Sequence, residues 1–204
     1  MIAHRLTILL ALLLLTTPTL ALEYWPDDPD DALFIYQEPN SSLQEYQFFP
    51  IDSGIQRAER DFWDGCFGVD RFQVTATTVS LIDWGATCPG ETDPNMQIFE
   101  PPLPLVTATL DDLTGWQHEG TITGHPFTAI ATVTSETITV PLGTFDVIHV
   151  HYAIQTGWTA RFLDVWLDRE LGPVRVDEWE LVSTDIPVGI KATTWSSIKR
   201  CFQR

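Results

Sequence analysis

Basic side chains are scarce in this sequence. It has 11 lysines and arginines against 28 aspartates and glutamates, for a formal net charge of −17 at pH 7. Nucleic acids and anionic lipid surfaces are bound through clustered positive charge. The composition therefore argues against both classes of partner and favours a soluble protein with an acidic surface.

Recognisable catalytic motifs are also lacking. The sequence contains no Gly-x-Ser-x-Gly elbow, no His-Glu-x-x-His helix motif and no glycine-rich phosphate loop. Carboxylate pairs such as Asp164/Asp168 and Glu178/Glu180 are expected by chance in so acidic a chain. We therefore predict a protein that is not an enzyme and that carries no cofactor, with a hydrolase as the least favoured alternative.

Cysteine is rare, and no Cys-x-x-Cys spacing is present, which argues against a zinc site. Cys66 and Cys88 bracket one extended run, residues 71–83, and we predict a disulfide between them. A bond from Cys201 to either of them is the alternative. His149 and His151 lie on one face of a predicted strand and could ligate zinc or copper only if His118 or His125 joined them. We predict no metal.

The only long apolar run, residues 6–15, follows His4 and Arg5. A charged start, a short apolar run and small residues at Thr19 and Ala21 are typical of a secretory signal, and we predict cleavage after Ala21. The run is shorter than the roughly 20 residues of a membrane span. The mature protein is expected in the periplasm or outside the cell, with residues 22–45 as an extended acidic leader.

The rest of the sequence has the pattern of a β protein. Residues 136–181 form four extended runs with almost no gaps, an antiparallel meander, and Pro141-Leu142-Gly143 marks a hairpin turn. Residues 72–82 are dense in valine and threonine, which favours a strand. We predict a mainly β fold of about eight to eleven strands. Short helices are possible near residues 30–36 and 53–61.

Three motifs resemble a known family. They are FFPIDSG at 48–54, TVPLGTFDV at 139–147, and DVWL followed by ELGPVR between 164 and 175. Together they resemble exported bacterial domains of unknown function that are related to the lipoprotein carriers LolA and LolB. RAER at 57–60 and Leu142 depart from the family's pattern.

The resemblance implies an incomplete β-barrel over residues 46–204: a single antiparallel sheet curled around a short helical plug. In the carriers the apolar concave face of this half-barrel holds acyl chains. Because most members of the family have no assigned function, the resemblance implies a fold rather than an activity.

An aromatic stripe is the candidate binding surface. Trp158, Phe162 and Trp166 lie four residues apart on one face of a predicted strand, and Trp179 on the next strand could extend the stripe. Such a stripe is either a wall that binds an acyl chain or a sugar, or part of a hydrophobic core.

Two functional hypotheses follow. The first is a non-enzymatic exported protein that binds an apolar or lipidic ligand, or another envelope component, in a half-barrel groove. The second is a structural or protein-interaction module of the cell envelope without a small ligand. The first requires an open apolar groove, whereas the second requires an exposed apolar patch or an exposed edge strand.

Overall fold

The computed structural model describes residues 24–25, 33–38, 43–52, 54–61, 66–91, 96–157 and 159–185. These residues form strands and turns, with no α-helix among them. The twelve strands are β1 (Leu33–Gln37), β2 (Leu43–Asp52), β3 (Ile55–Asp61), β4 (Phe67–Val74), β5 (Thr78–Thr87), β6 (Gln97–Thr107), β7 (Trp116–Ile122), β8 (His125–Val140), β9 (Gly143–Thr156), β10 (Thr159–Asp168), β11 (Gly172–Val176) and β12 (Trp179–Thr184).

The strands close into an antiparallel barrel. Each strand pairs with the next along the chain, and β1 completes the circle by pairing with β12, as Phe34 with Thr184 and Gln37 with Glu180. The prediction of a half-barrel of about eight to eleven strands around a short helical plug is therefore wrong, because the described residues form twelve strands in a closed barrel. Closure leaves no open concave face, because the backbone groups of the first and last strands hydrogen-bond to each other.

Both predicted helices are strands. The first candidate overlaps β1, whose residues alternate between partly and fully buried, and the second contains β3, where Gln56 and Ala58 are buried. Arg-Ala-Glu-Arg is compatible with a helix by composition. Its inward and outward residues alternate with a period of two in the barrel, since β3 pairs with β2 on one side and β4 on the other.

Large side chains fill the barrel interior. About eight strands already make a barrel just wide enough for side chains to fill, so twelve strands enclose more space. Aromatic residues occupy much of it: Phe34, Phe48, Phe72 and Tyr152 are each no more than 3% exposed. Trp25 adds a further ring at the end of the barrel where β1 begins, contacting Phe48 and Phe72 at centroid distances of 5.7 and 4.9 Å.

The stretch predicted as an acidic leader, residues 22–45, contributes β1 and the first residues of β2. Tyr24 is anchored at the same end of the barrel, where its hydroxyl donates to Asp111 at 2.5 Å and accepts from Arg169 at 3.1 Å. Burial, followed by the Asp111 hydrogen bond, raises the pKa of Tyr24 to about 12. The predicted signal, residues 1–21 with cleavage after Ala21, lies outside the described residues.

Two local predictions agree with the structure. Cys66 and Cys88 form a disulfide next to the Phe67–Thr87 pair, where β4 begins and β5 ends. Pro141 and Leu142 make the turn between β8 and β9, with Val140 paired to Gly143. The tip of this hairpin reaches β12, where the Leu142 N–H donates to the Leu181 carbonyl at 3.1 Å. Cys201 lies outside the described residues.

Candidate functional site

A polar cluster lies in the interior of the described barrel, on β2, β3 and β4. Tyr46 hydrogen-bonds to the Asp70 carboxylate, and the Arg60 guanidinium pairs with the same carboxylate at 2.8 Å. Burial raises the pKa of Asp70 although the Arg60 charge opposes it. Burial likewise raises the pKa of Tyr46, and the nearby Asp70 charge adds to it. The cluster ties together three neighbouring strands inside the barrel.

Surface depressions are shallow and mixed in character. One, of about 590 Å³, lies at the ends of β7, β8 and β9 and is lined by residues such as Glu119, Phe127 and Gln155. Another, of about 400 Å³, lies beside Tyr24 and Arg169. Neither is the enclosed, mainly apolar site that binds small molecules in most proteins.

The outer face of β8 to β11 carries a cluster of rings and charges. Pairing across the strands sets Phe162 beside Ala153, Asp164 beside His151, and Trp166 beside His149. The same face of β11 carries Arg175, opposite Trp166. We call His149, His151, Phe162, Asp164, Trp166 and Arg175 the outer cluster.

Trp166 is enclosed within the outer cluster. His149 on β9 stacks on its ring at 4.3 Å, and Arg175 on β11 lies over it at 4.5 Å. Because these partners come from the strands on either side, both faces of the indole are occupied. Its N–H donates to Glu136 at 2.7 Å. Trp166 therefore holds neighbouring strands together rather than offering a face to a ligand.

The other members of the predicted aromatic wall are dispersed. Phe162 stands on the outer face, stacked against His151 at 5.6 Å and 64% exposed. Trp179 is half-buried at the start of β12 and packs against the main core. Trp158 lies outside the described residues. Only Phe162 among the described members presents a large free apolar surface.

His149 and His151 do share a face, and they converge on Asp164. The Nε2 of His149 lies 2.6 Å and the Nδ1 of His151 2.9 Å from the same carboxylate oxygen. An ionised carboxylate only accepts hydrogen bonds, so both nitrogens are donors. Burial alone would raise the pKa of Asp164, but the hydrogen bonds from His149 and His151 outweigh it and lower that pKa.

This arrangement differs from a metal site. The described residues include no group of three or more His, Cys, Asp or Glu side chains placed to hold a metal ion. His118, one of the histidines that a zinc site would have needed, instead faces the Pro101 carbonyl at 3.2 Å on another part of the barrel. The histidine pair is tied to a carboxylate as part of the sheet surface.

On the N-terminal side of Asp164, one side of β10 has no neighbouring strand among the described residues. β10 pairs with β9 along its length but with β11 only from Val165 to Asp168. In the described part of the chain, residues 159–163 thus form a free strand edge. We call them the β10 edge.

The direction of the free backbone groups follows from Asp164. Its N–H donates to the Asp177 carboxylate and its carbonyl accepts from the Asp177 N–H, each at 2.8 Å, so both point away from β9. Successive residues of an antiparallel strand point their backbone groups to alternate sides. Ala160 and Phe162 therefore direct their N–H and C=O groups outward, away from β9.

Sequence reasoning identified Phe162 and the two histidines but missed Asp164 as their partner and the β10 edge. The alternation along residues 158–167 does place Phe162, Asp164 and Trp166 on one face, which was the available signal. The free edge depends on where β11 begins and ends, which the residue pattern of β10 does not contain.

Comparisons with known proteins leave the family open. No protein-family model matches the chain, and no curated protein is similar to it. A crystal structure of a putative lipoprotein from Parabacteroides distasonis is similar at 14% identity and a TM-score of 0.38, over 76% of this chain and 95% of that one. Likeness this distant carries no functional argument, and the resemblance to LolA and LolB stays a prediction.

None of the described residues forms a helix with the length and hydropathy that a membrane crossing requires.

Proposed function

We propose that this protein is an exported, non-enzymatic interaction module, which binds another protein of the cell envelope by adding a strand of that partner to the β10 edge. The observation that carries the proposal is the pair of outward backbone positions at Ala160 and Phe162. An extended peptide that joins a free sheet edge gains main-chain hydrogen bonds, and pockets or side chains beside the edge provide specificity. Phe162, 64% exposed next to that edge, provides an apolar contact.

Export is supported by the predicted signal and by the Cys66–Cys88 disulfide, since such bonds persist in oxidising compartments. The first hypothesis, an apolar ligand in a half-barrel groove, loses its groove because the barrel is closed and its interior is filled with aromatic side chains.

Proline substitutions at two adjacent positions distinguish a loss of strand addition from a loss of folding. Ala160→Pro removes an N–H that points away from β9, so it keeps the β9–β10 ladder and blocks an added strand. Arg161→Pro, one residue on, removes an N–H that faces β9 and should lower stability by about 1 kcal/mol or more. We therefore expect Ala160→Pro to remain folded by circular dichroism and Arg161→Pro to be measurably less stable.

The function is tested by photocrosslinking in the producing cell, with p-benzoylphenylalanine in place of Phe162. A discrete protein adduct is expected that disappears when Ala160→Pro is added. Ile98→Ala, which removes an exposed side chain on β6, is the control and should leave the adduct unchanged. Absence of an adduct, or one that Ala160→Pro does not remove, would refute the proposal.

A further inference from the structure

The β10 edge ends at an acidic turn. The β11–β12 turn, Asp177 and Glu178, lies beside Asp164, and Asp177 is bonded to it through both backbone and carboxylate. A strand laid along Ala160 and Phe162 would therefore end against this turn. Both acidic residues of the turn are exposed.

The negative charge of this turn is not balanced locally. Asp164 is paired with two histidines, and Arg175 pairs with Glu180 at 3.6 Å while its Nε donates to the Asp177 carbonyl at 2.9 Å. Among the described residues, no ion pair includes the carboxylate of Asp177 or Glu178. Burial, and then the nearby charges of Asp164 and Glu178, raise the pKa of Asp177, although its hydrogen bond from the Asp164 N–H opposes the shift.

Backbone pairing alone would not select a partner. The β10 edge offers the N–H and C=O groups of only two residues, and any extended peptide can pair with those. Selection must come from side chains beside the edge. On the outer face these are the open face of the Phe162 ring, whose other face is stacked on His151, and the unbalanced carboxylates of the turn. The exposed side chain of Arg161 points to the opposite face of β10.

We infer that the β10 edge receives a basic, extended segment of another protein chain, with an apolar side chain against Phe162 and a lysine or arginine against Asp177 and Glu178. This inference rests on the proposed function and adds the chemistry of the partner. It is consistent with the formal net charge of −17, which favours encounter with a basic segment and disfavours an acidic one.

The test is fluorescence anisotropy with the mature protein and two labelled nine-residue peptides. Each alternates valine and threonine; one carries a lysine at each end and the other a glutamate at each end, so the direction of pairing does not matter. The lysine peptide is expected to bind about tenfold more tightly at low salt, since an exposed charge contact contributes only modestly and repulsion weakens the glutamate peptide. Salt should reduce the difference.

Two variants distinguish the selection by charge from the addition of a strand. Asp177→Asn with Glu178→Gln should equalise the two peptides; asparagine suits position 177, where φ is 50°, and its side-chain oxygen can still accept the Asp164 N–H. Ala160→Pro should abolish binding of both peptides. Equal binding of both peptides to the unmodified protein, lost in Ala160→Pro, would overturn the charge inference and leave the proposed function standing.

Failure of the unmodified protein to bind either peptide would count against the proposed function itself. A further outcome concerns the source of the segment. If the photocrosslinker at position 162 in the purified protein joined residues 186–204 of this chain, the edge would be occupied by the protein's own segment. That result would overturn the assignment to another protein.

Discussion

Replacing Trp25 by alanine should remove about 3–5 kcal/mol from the free energy of unfolding, the range for truncating a buried large aromatic residue. Trp25 is 6% exposed, contacts the rings of Phe48 and Phe72, and donates its indole N–H to Gln56 at 2.6 Å. Gln56 is itself buried, so the substitution also leaves its amide oxygen without this donor. For a domain of this size the melting temperature should fall by about 6–20 °C.

Equilibrium unfolding in urea, followed by tryptophan fluorescence and circular dichroism, measures the change. The free energy of unfolding of Trp25→Phe should lie between those of the unmodified protein and Trp25→Ala, because phenylalanine keeps a ring against Phe48 and loses the donor to Gln56. Phe162→Ala is the matched control, since it deletes a ring that is 64% exposed and should change stability by less than about 0.5 kcal/mol. If Trp25→Ala were no more destabilising than Phe162→Ala, Trp25 would not be part of the barrel core.

Three further predictions concern charge, covalent bonding and ligand binding. The folded-state pKa of Asp164 is lowered, so its contribution to stability is complete above the unfolded pKa near 4 and is lost as the pH falls through the folded pKa. The difference in the free energy of unfolding between the unmodified protein and Asp164→Asn should therefore shrink in acid. A difference that stays constant from pH 6 to pH 2.5 would contradict this. Replacing Cys66 and Cys88 by alanine should cost about 2–4 kcal/mol in urea unfolding, because the bond spans 22 residues of chain, and a loss below 1 kcal/mol would contradict the expectation. A fluorescent fatty acid should show no saturable binding to the mature protein, since side chains fill the barrel; stoichiometric binding would revive the carrier hypothesis.

The β character of the protein was predictable because it depends on side-chain alternation and turn residues that are close together in sequence. Alternation along residues 145–155 placed Val150, Tyr152 and Ile154 on one face, and Pro141 with Leu142 marked the turn that the structure forms. The disulfide between Cys66 and Cys88 was predicted because the two cysteines bracket residues 71–83, which have the pattern of one extended run. In the structure this run is the end of β4 and the start of β5 with a bend at residues 75–77, and the pairing of the two strands brings the cysteines together. Each of these features depends on residues close in sequence.

Closure of the barrel was not predictable in the same way. The β1–β12 pairing joins residues about as far apart as the described chain allows, and β1 is only five residues long. A strand this short carries too little alternation to distinguish it from a helix, and β3 has the composition of a helix. The resemblance to a half-barrel family then favoured the wrong architecture.

The candidate site was also predictable only in the features that depend on residues within one strand. The order of residues along β9 and β10 determined that His149 and His151 share one face and that Phe162, Asp164 and Trp166 share another, because side chains alternate on any strand. The tertiary structure decided that these two faces are one surface and that His149 and Arg175 cover both sides of Trp166. It also decided that, among the described residues, Ala160 and Phe162 have a neighbouring strand on the β9 side only. Side-chain alternation is a property of one strand, whereas register, closure and free edges are properties of pairs of strands that only the folded barrel brings together.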